Sequence, residues 1–70
     1  MEPREQLAAN LRRLREAAGL TQQALSDRTG LHFTEISRLE RGLRDPRLST
    51  LVRVARGLDV VPADLLGDVR

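Results

Sequence analysis

Apolar positions recur along this chain at helical spacing. Leu7, Leu11, Leu14 and Ala18 fall at i, i+4, i+7 and i+11, one stripe of a helix over about Glu5–Ala18. Arg12, Arg13 and Glu16 lie mainly off that stripe. Gly19 follows as a helix stop. Thr21 is a good N-cap for a second, short helix over Gln22–Thr29, with Leu25 as its apolar anchor and Gly30 as its end. Leu31 and His32 complete a tight turn, and His32 suits a capping position. A third helix fits Phe33–Arg41 and stops at Gly42. Leu43-Arg44-Asp45-Pro46 reads as a loop, because Pro46 disfavours helix at the residue before it. Leu48, Leu51, Val52, Ala55 and Leu58 mark a fourth helix. Pro62 suits the first turn of a short fifth helix that carries Leu65 and Leu66 and closes at Gly67. No stretch alternates long enough for a sheet. The expectation is an all-α, compact five-helix bundle forming one domain over residues 1–70.

Composition narrows the function classes. The chain has 70 residues and no cysteine, and its only histidine is His32. A disulfide framework is excluded, and the usual zinc and iron–sulfur sites lack ligands; no cofactor is expected. Ser26, Asp27 and His32 do not make a hydrolase triad, since nothing resembles a nucleophile elbow, so no enzyme is expected. No apolar run approaches the 18 or so residues of a membrane span, and the charged start Met1-Glu2-Pro3-Arg4-Glu5 does not read as a signal peptide. A cytoplasmic protein without a membrane partner is expected.

The net charge of +2 is uninformative, but its distribution is not. Residues 1–35 balance to zero, whereas residues 38–56 hold six arginines against Glu40 and Asp45. Within that half, the third helix sorts its side chains by face. At about 100° per residue, Phe33, Thr34, Ser37, Arg38 and Arg41 share one arc. Ile36 and Leu39 lie opposite, and Glu35 and Glu40 flank the arc. A phenyl ring, two hydroxyls and two guanidiniums without a carboxylate suit the edges of base pairs in the DNA major groove. Two short helices joined by a glycine-bearing turn are the helix-turn-helix arrangement, with its core at residues 22–41. Ser26 is small where its helix must approach the next one closely.

The segments LRRLREAAGLTQQAL, the glycine turn, ISRLERG, the downstream Pro46 and the Leu58–Val60 step together resemble the phage-repressor/Cro (XRE) family of helix-turn-helix proteins, over about Leu7–Leu66. The resemblance implies a lambda-repressor-like fold whose third helix enters the major groove of double-stranded DNA. It implies base contacts from Phe33, Thr34, Ser37 and Arg38. Phosphate contacts would come from Thr21, Gln22, Arg41, Arg44 and Arg47. Arg15 and Glu40 match an ion pair joining the first and third helices. Arg12 and Arg13 read equally as solvated side chains or as peripheral phosphate contacts, and Arg4, Arg53, Arg56 and Arg70 as solvated. Two departures, Gly57 inside the fourth helix and Asp59 after it, are expected to weaken that helix by about 1 kcal/mol.

One short helix reads few base pairs, so a homodimer on a palindromic operator is expected, with a dimer surface near Val60, Val61 and Leu65. Such a protein would act as a repressor by excluding RNA polymerase, or would contact polymerase directly. Control of a restriction–modification or toxin–antitoxin operon fits a chain this compact, as does the N-terminal module of a longer regulator. An adaptor binding other proteins is the alternative from another class, but it would more often carry an apolar patch on the arc.

Overall fold

The computed structural model describes residues 1–70, and the chain folds into five helices: α1 (Pro3–Ala17), α2 (Gln22–Thr29), α3 (Phe33–Glu40), α4 (Leu48–Leu58) and α5 (Pro62–Leu65). α1 packs on α3 and α5, α2 on α3 and α4, and α4 on α5. The helices thus close a ring around one core of Leu7, Leu11, Leu25, Ile36, Leu39, Val54, Ala55, Leu58 and Leu65.

α1 starts two residues earlier than the apolar stripe indicates. Pro3 takes the first helical position, where its missing N–H costs no hydrogen bond. The Glu5 carboxylate accepts from the Glu2 backbone N–H at 3.0 Å. Ala18 is the C-cap and is exposed, so the buried stripe ends near Leu14.

α4 keeps most of its expected face, with Ala55 and Leu58 in the core and Leu51 packed against it, but Val54 joins that face and Leu48 leaves it. Its buried face is Val54, Ala55 and Leu58, while Leu48 is 71% exposed. Leu48 opens the first turn. Gly57 also reverses its expected meaning. A Cβ there would stand 2.6 Å from Thr29 Cγ2 and 3.3 Å from Leu25 Cδ1. The missing side chain is what lets α4 lie against α2. Asp59 does occupy the left-handed region that favours glycine, at φ 57° and ψ 42°. Val60 N–H still donates to Ala55 C=O at 2.9 Å, completing the helix end.

Leu65 is fully buried, which removes it from the expected dimer surface. It is the plug by which α5 seals the core. Val61 and Leu66 are the large apolar side chains that this end of the chain exposes.

Candidate nucleic-acid interface

The turn that aims α3 is fixed by two small buried hydroxyl residues of α2. Ser26 Oγ donates to Leu31 C=O at 2.6 Å. Thr29 Oγ1 donates to Leu25 C=O at 2.8 Å and accepts from Leu31 N–H at 3.2 Å. Gly30 carries the bend at φ 73°, a conformation open to glycine without steric cost. α3 is then capped by His32, whose Nδ1 accepts from Thr34 N–H at 3.1 Å. This is the capping role the sequence indicated, and it requires the neutral ring.

Ile36 and Leu39 anchor the back of α3 in the core, each at most 2% exposed. Of the expected base-reading residues, Phe33 is 42% exposed, so it does not fold back into the core. Thr34, Ser37 and Arg38 are half-buried, and Arg41 is exposed just past the helix end. The geometry therefore keeps the acid-free arc on the outside of the bundle.

The Arg15–Glu40 pair forms as expected. Arg15 Nε and Nη2 donate to Glu40 at 2.5 and 2.9 Å, and Arg15 Nη1 donates to Leu20 C=O at 2.7 Å. The Glu40 side chain has no exposed surface and that of Arg15 is 14% exposed. The hydrogen bond that Arg15 donates to Glu40 holds the pKa of its guanidinium above the ordinary value, against the opposing effect of burial. A raised value means that Arg15's own contribution is fully present at neutral pH and is lost as pH rises into strong alkali.

Three of the expected phosphate-binding residues have partners within the chain. Thr21 Oγ1 caps α2 by accepting from Ala24 N–H at 3.0 Å, which leaves its hydroxyl proton free to donate. Gln22 Nε2 donates to Glu40 Oε1 at 3.1 Å, which spends one of its two amide protons. Arg44 lies 3.5 Å from Glu35 in an exposed ion pair. Arg47 is exposed at the N-cap of α4.

Several residues that hold this frame were not visible as such in the sequence. Arg53, expected to be solvated, donates to Thr29 C=O from Nε and Nη2 at 3.2 and 2.9 Å. Arg28 Nη1 donates to Gly57 C=O at 3.2 Å. Each of α2 and α4 thus receives a guanidinium at its C-terminal carbonyls from the other, where the helix dipole favours a cation. Asn10 is buried in α1 and donates to Leu65 and Gly67 C=O at 2.9 and 2.7 Å, tying down α5. Its signal was a polar residue at i+3 from Leu7, inside the apolar stripe.

Comparison with known proteins agrees with this geometry. A family model described as HTH_3, helix-turn-helix, matches residues 11–66. An uncharacterized HTH-type transcriptional regulator, y4dL, of Sinorhizobium fredii is 46% identical over 56 residues, which is 80% of this chain and 29% of that protein. The chain therefore spans under a third of that relative's length. The control protein C.SmaI of Serratia marcescens is 39% identical over 66 residues, covering 94% of this chain and 79% of the other. Among solved structures, the restriction-modification controller protein C.AhdI of Aeromonas hydrophila superposes with a TM-score of 0.86 at 34% identity, covering 89% of this chain and 94% of that one. With the turn, the capped third helix and the Arg15–Glu40 pair in place, the chain belongs to the XRE-type helix-turn-helix family, as a transcriptional regulator with a helix-turn-helix DNA-binding domain.

Proposed function

We propose that the chain reads a double-stranded operator by seating α3 in the major groove, acting in the cytoplasm as a homodimeric repressor and not as an enzyme. The observation that carries this reading is the outer face of α3. It presents Phe33, Thr34, Ser37 and Arg38 over the buried Ile36 and Leu39, with no carboxylate among them. A helix about 10–12 Å across fits a groove about 12 Å wide. Arg38 would read guanine through a forked contact, the hydroxyls would pair with base edges, and Phe33 would meet a thymine methyl. Thr21, Gln22, Arg41, Arg44 and Arg47 would hold the backbone on either side. Gln22 keeps one amide proton for a phosphate, and the N-terminus of α2 favours an anion beside it.

Two copies related by a two-fold axis would read half-sites about one helical turn apart. The exposed Val61 and Leu66, at 59% and 41%, supply apolar surface for that pairing. Repression would follow from occupying the site that RNA polymerase needs, and direct contact with polymerase is the route by which the same protein would activate. The likeness to a restriction-modification controller protein supports an operon of that kind over a toxin–antitoxin operon. Selection of bound duplexes from a random DNA pool tests the reading. A recovered palindrome supports it, and a pool that stays random after successive rounds refutes it.

A further inference from the structure

Glu40 does more than pair with Arg15. Its Oε1 also accepts from Gln22 Nε2 at 3.1 Å and lies 3.8 Å from Arg12 Nε. One buried carboxylate oxygen therefore collects α1 and the start of α2 at a single point. Its charge is already matched by the two-pronged contact from Arg15, so the cluster of Arg12, Arg15 and Glu40 carries one surplus positive charge. That surplus sits on Arg12, whose side chain is 56% exposed while that of Glu40 has no exposed surface. No other carboxylate lies within 4 Å of Arg12.

We propose that Arg12 is a phosphate contact of the DNA-binding surface, oriented by Glu40 and acting beside Gln22. Arg12 meets Glu40 only at 3.8 Å through Nε, with no hydrogen bond between them, so the N–H groups of its exposed guanidinium remain available to phosphate oxygens. Arg12 Nε and Gln22 Nε2 lie 3.8 and 3.1 Å from the same oxygen, so they are no more than about 7 Å apart. Successive phosphates of one strand advance about 3.4 Å along the DNA axis, so one strand passing the N-terminus of α2 serves both side chains. A surface groove beside Arg12 is lined by Ala8 and Ala9 and by Arg13 and Arg41 as well as Arg12. Glu5 and Glu16 also line it, and their charge disfavours an anion on their part of the groove. Of the two α1 arginines that the sequence left undecided, the structure assigns this role to Arg12, the one that Glu40 positions.

The proposal rests on the DNA-binding reading, and a titration of salt dependence separates the two. The probe is a fluorescent duplex of random sequence, whose binding reports phosphate contacts alone. Arg12→Gln is compared with wild type, with Arg12→Lys, and with Arg56→Gln, which removes the same charge from an exposed side chain of α4. Loss of one phosphate contact lowers affinity about five-fold near 0.15 M salt and reduces the log–log salt slope by about 0.9. That is the expected result for Arg12→Gln, with the slope restored in Arg12→Lys and little changed in Arg56→Gln. Melting temperatures of all three should match wild type, since Arg15 still holds Glu40. If Arg12→Gln and Arg56→Gln behave alike, the assignment of Arg12 is wrong while the DNA reading stands. If wild type shows no salt-dependent binding, both fall.

Discussion

Replacing Gly57 by alanine sets two known effects against each other. In an open helix the change stabilises by about 0.8–1.0 kcal/mol, because alanine loses less backbone freedom. Here the added Cβ would stand 2.6 Å from Thr29 Cγ2, 3.3 Å from Leu25 Cδ1 and 3.7 Å from Arg28 Cβ. Carbon atoms prefer about 3.5–4.0 Å, so the first contact must open by about 1 Å. Thr29 cannot simply rotate, since its β-branched side chain is tied through Oγ1 to Leu25 C=O and Leu31 N–H. Leu25 is fully buried and has no room to retreat. Overpacking of this kind costs about 1–3 kcal/mol and exceeds the propensity gain. The expected net loss is about 1 kcal/mol, a fall in melting temperature of about 4–8 °C for a domain of this size. Thermal and urea unfolding followed by circular dichroism measure it. Thr29→Ser supplies the control, because it removes Cγ2 and keeps the hydroxyl. In that background Gly57→Ala should be neutral or mildly stabilising. A rise in melting temperature in the wild-type background, or a penalty unaffected by Thr29→Ser, would refute the packing argument.

Three further outcomes follow from the same contacts. Glu40→Ala strands Arg15 and frees Gln22; breaking a buried pair costs about 3–5 kcal/mol, and the partial exposure of Arg15 places the loss at the low end, visible as a large drop in urea midpoint. Asn10→Ala leaves the Leu65 and Gly67 carbonyls without their donor and should cost about 1–3 kcal/mol, with amide exchange in α5 accelerating before that in α2 or α3. Asp59→Gly relieves a left-handed residue and should raise stability by up to about 1 kcal/mol in the same unfolding assay.

The fold was legible where periodicity and punctuation agreed. Leu7 and Leu11 marked the face of α1, Thr21 and Gly30 bounded α2, and Gly42 closed the end of α3. The phase of α4 was harder to read, because Leu48, Val52 and Val54 offer two overlapping stripes. Only packing against α2 and α5 decides that Val54 is inside and Leu48 outside. Gly57 was misread for a related reason. Propensity is a property of one helix, whereas its role depends on Thr29, which lies 28 positions earlier in the chain. The candidate site was legible as a face of α3, since helical geometry separates Ile36 and Leu39 from Phe33, Thr34, Ser37 and Arg38 without tertiary information. What the sequence could not show is the sharing of partners. The attachment of Gln22 and Arg12 to one Glu40 oxygen exists only once α1, α2 and α3 meet, and the reciprocal arginine caps only once α2 meets α4.

The central claim is that α3 reads bases while its flanks hold phosphates. Competition between an enriched duplex and a scrambled duplex of the same composition, for wild type and Arg38→Ala at one fixed salt concentration, tests it most directly. A base-reading arginine contributes about 1–3 kcal/mol of discrimination. The preference for the enriched duplex should therefore fall about 5–150-fold in Arg38→Ala, while its melting temperature stays at the wild-type value. An unchanged preference in a folded Arg38→Ala protein would contradict the account.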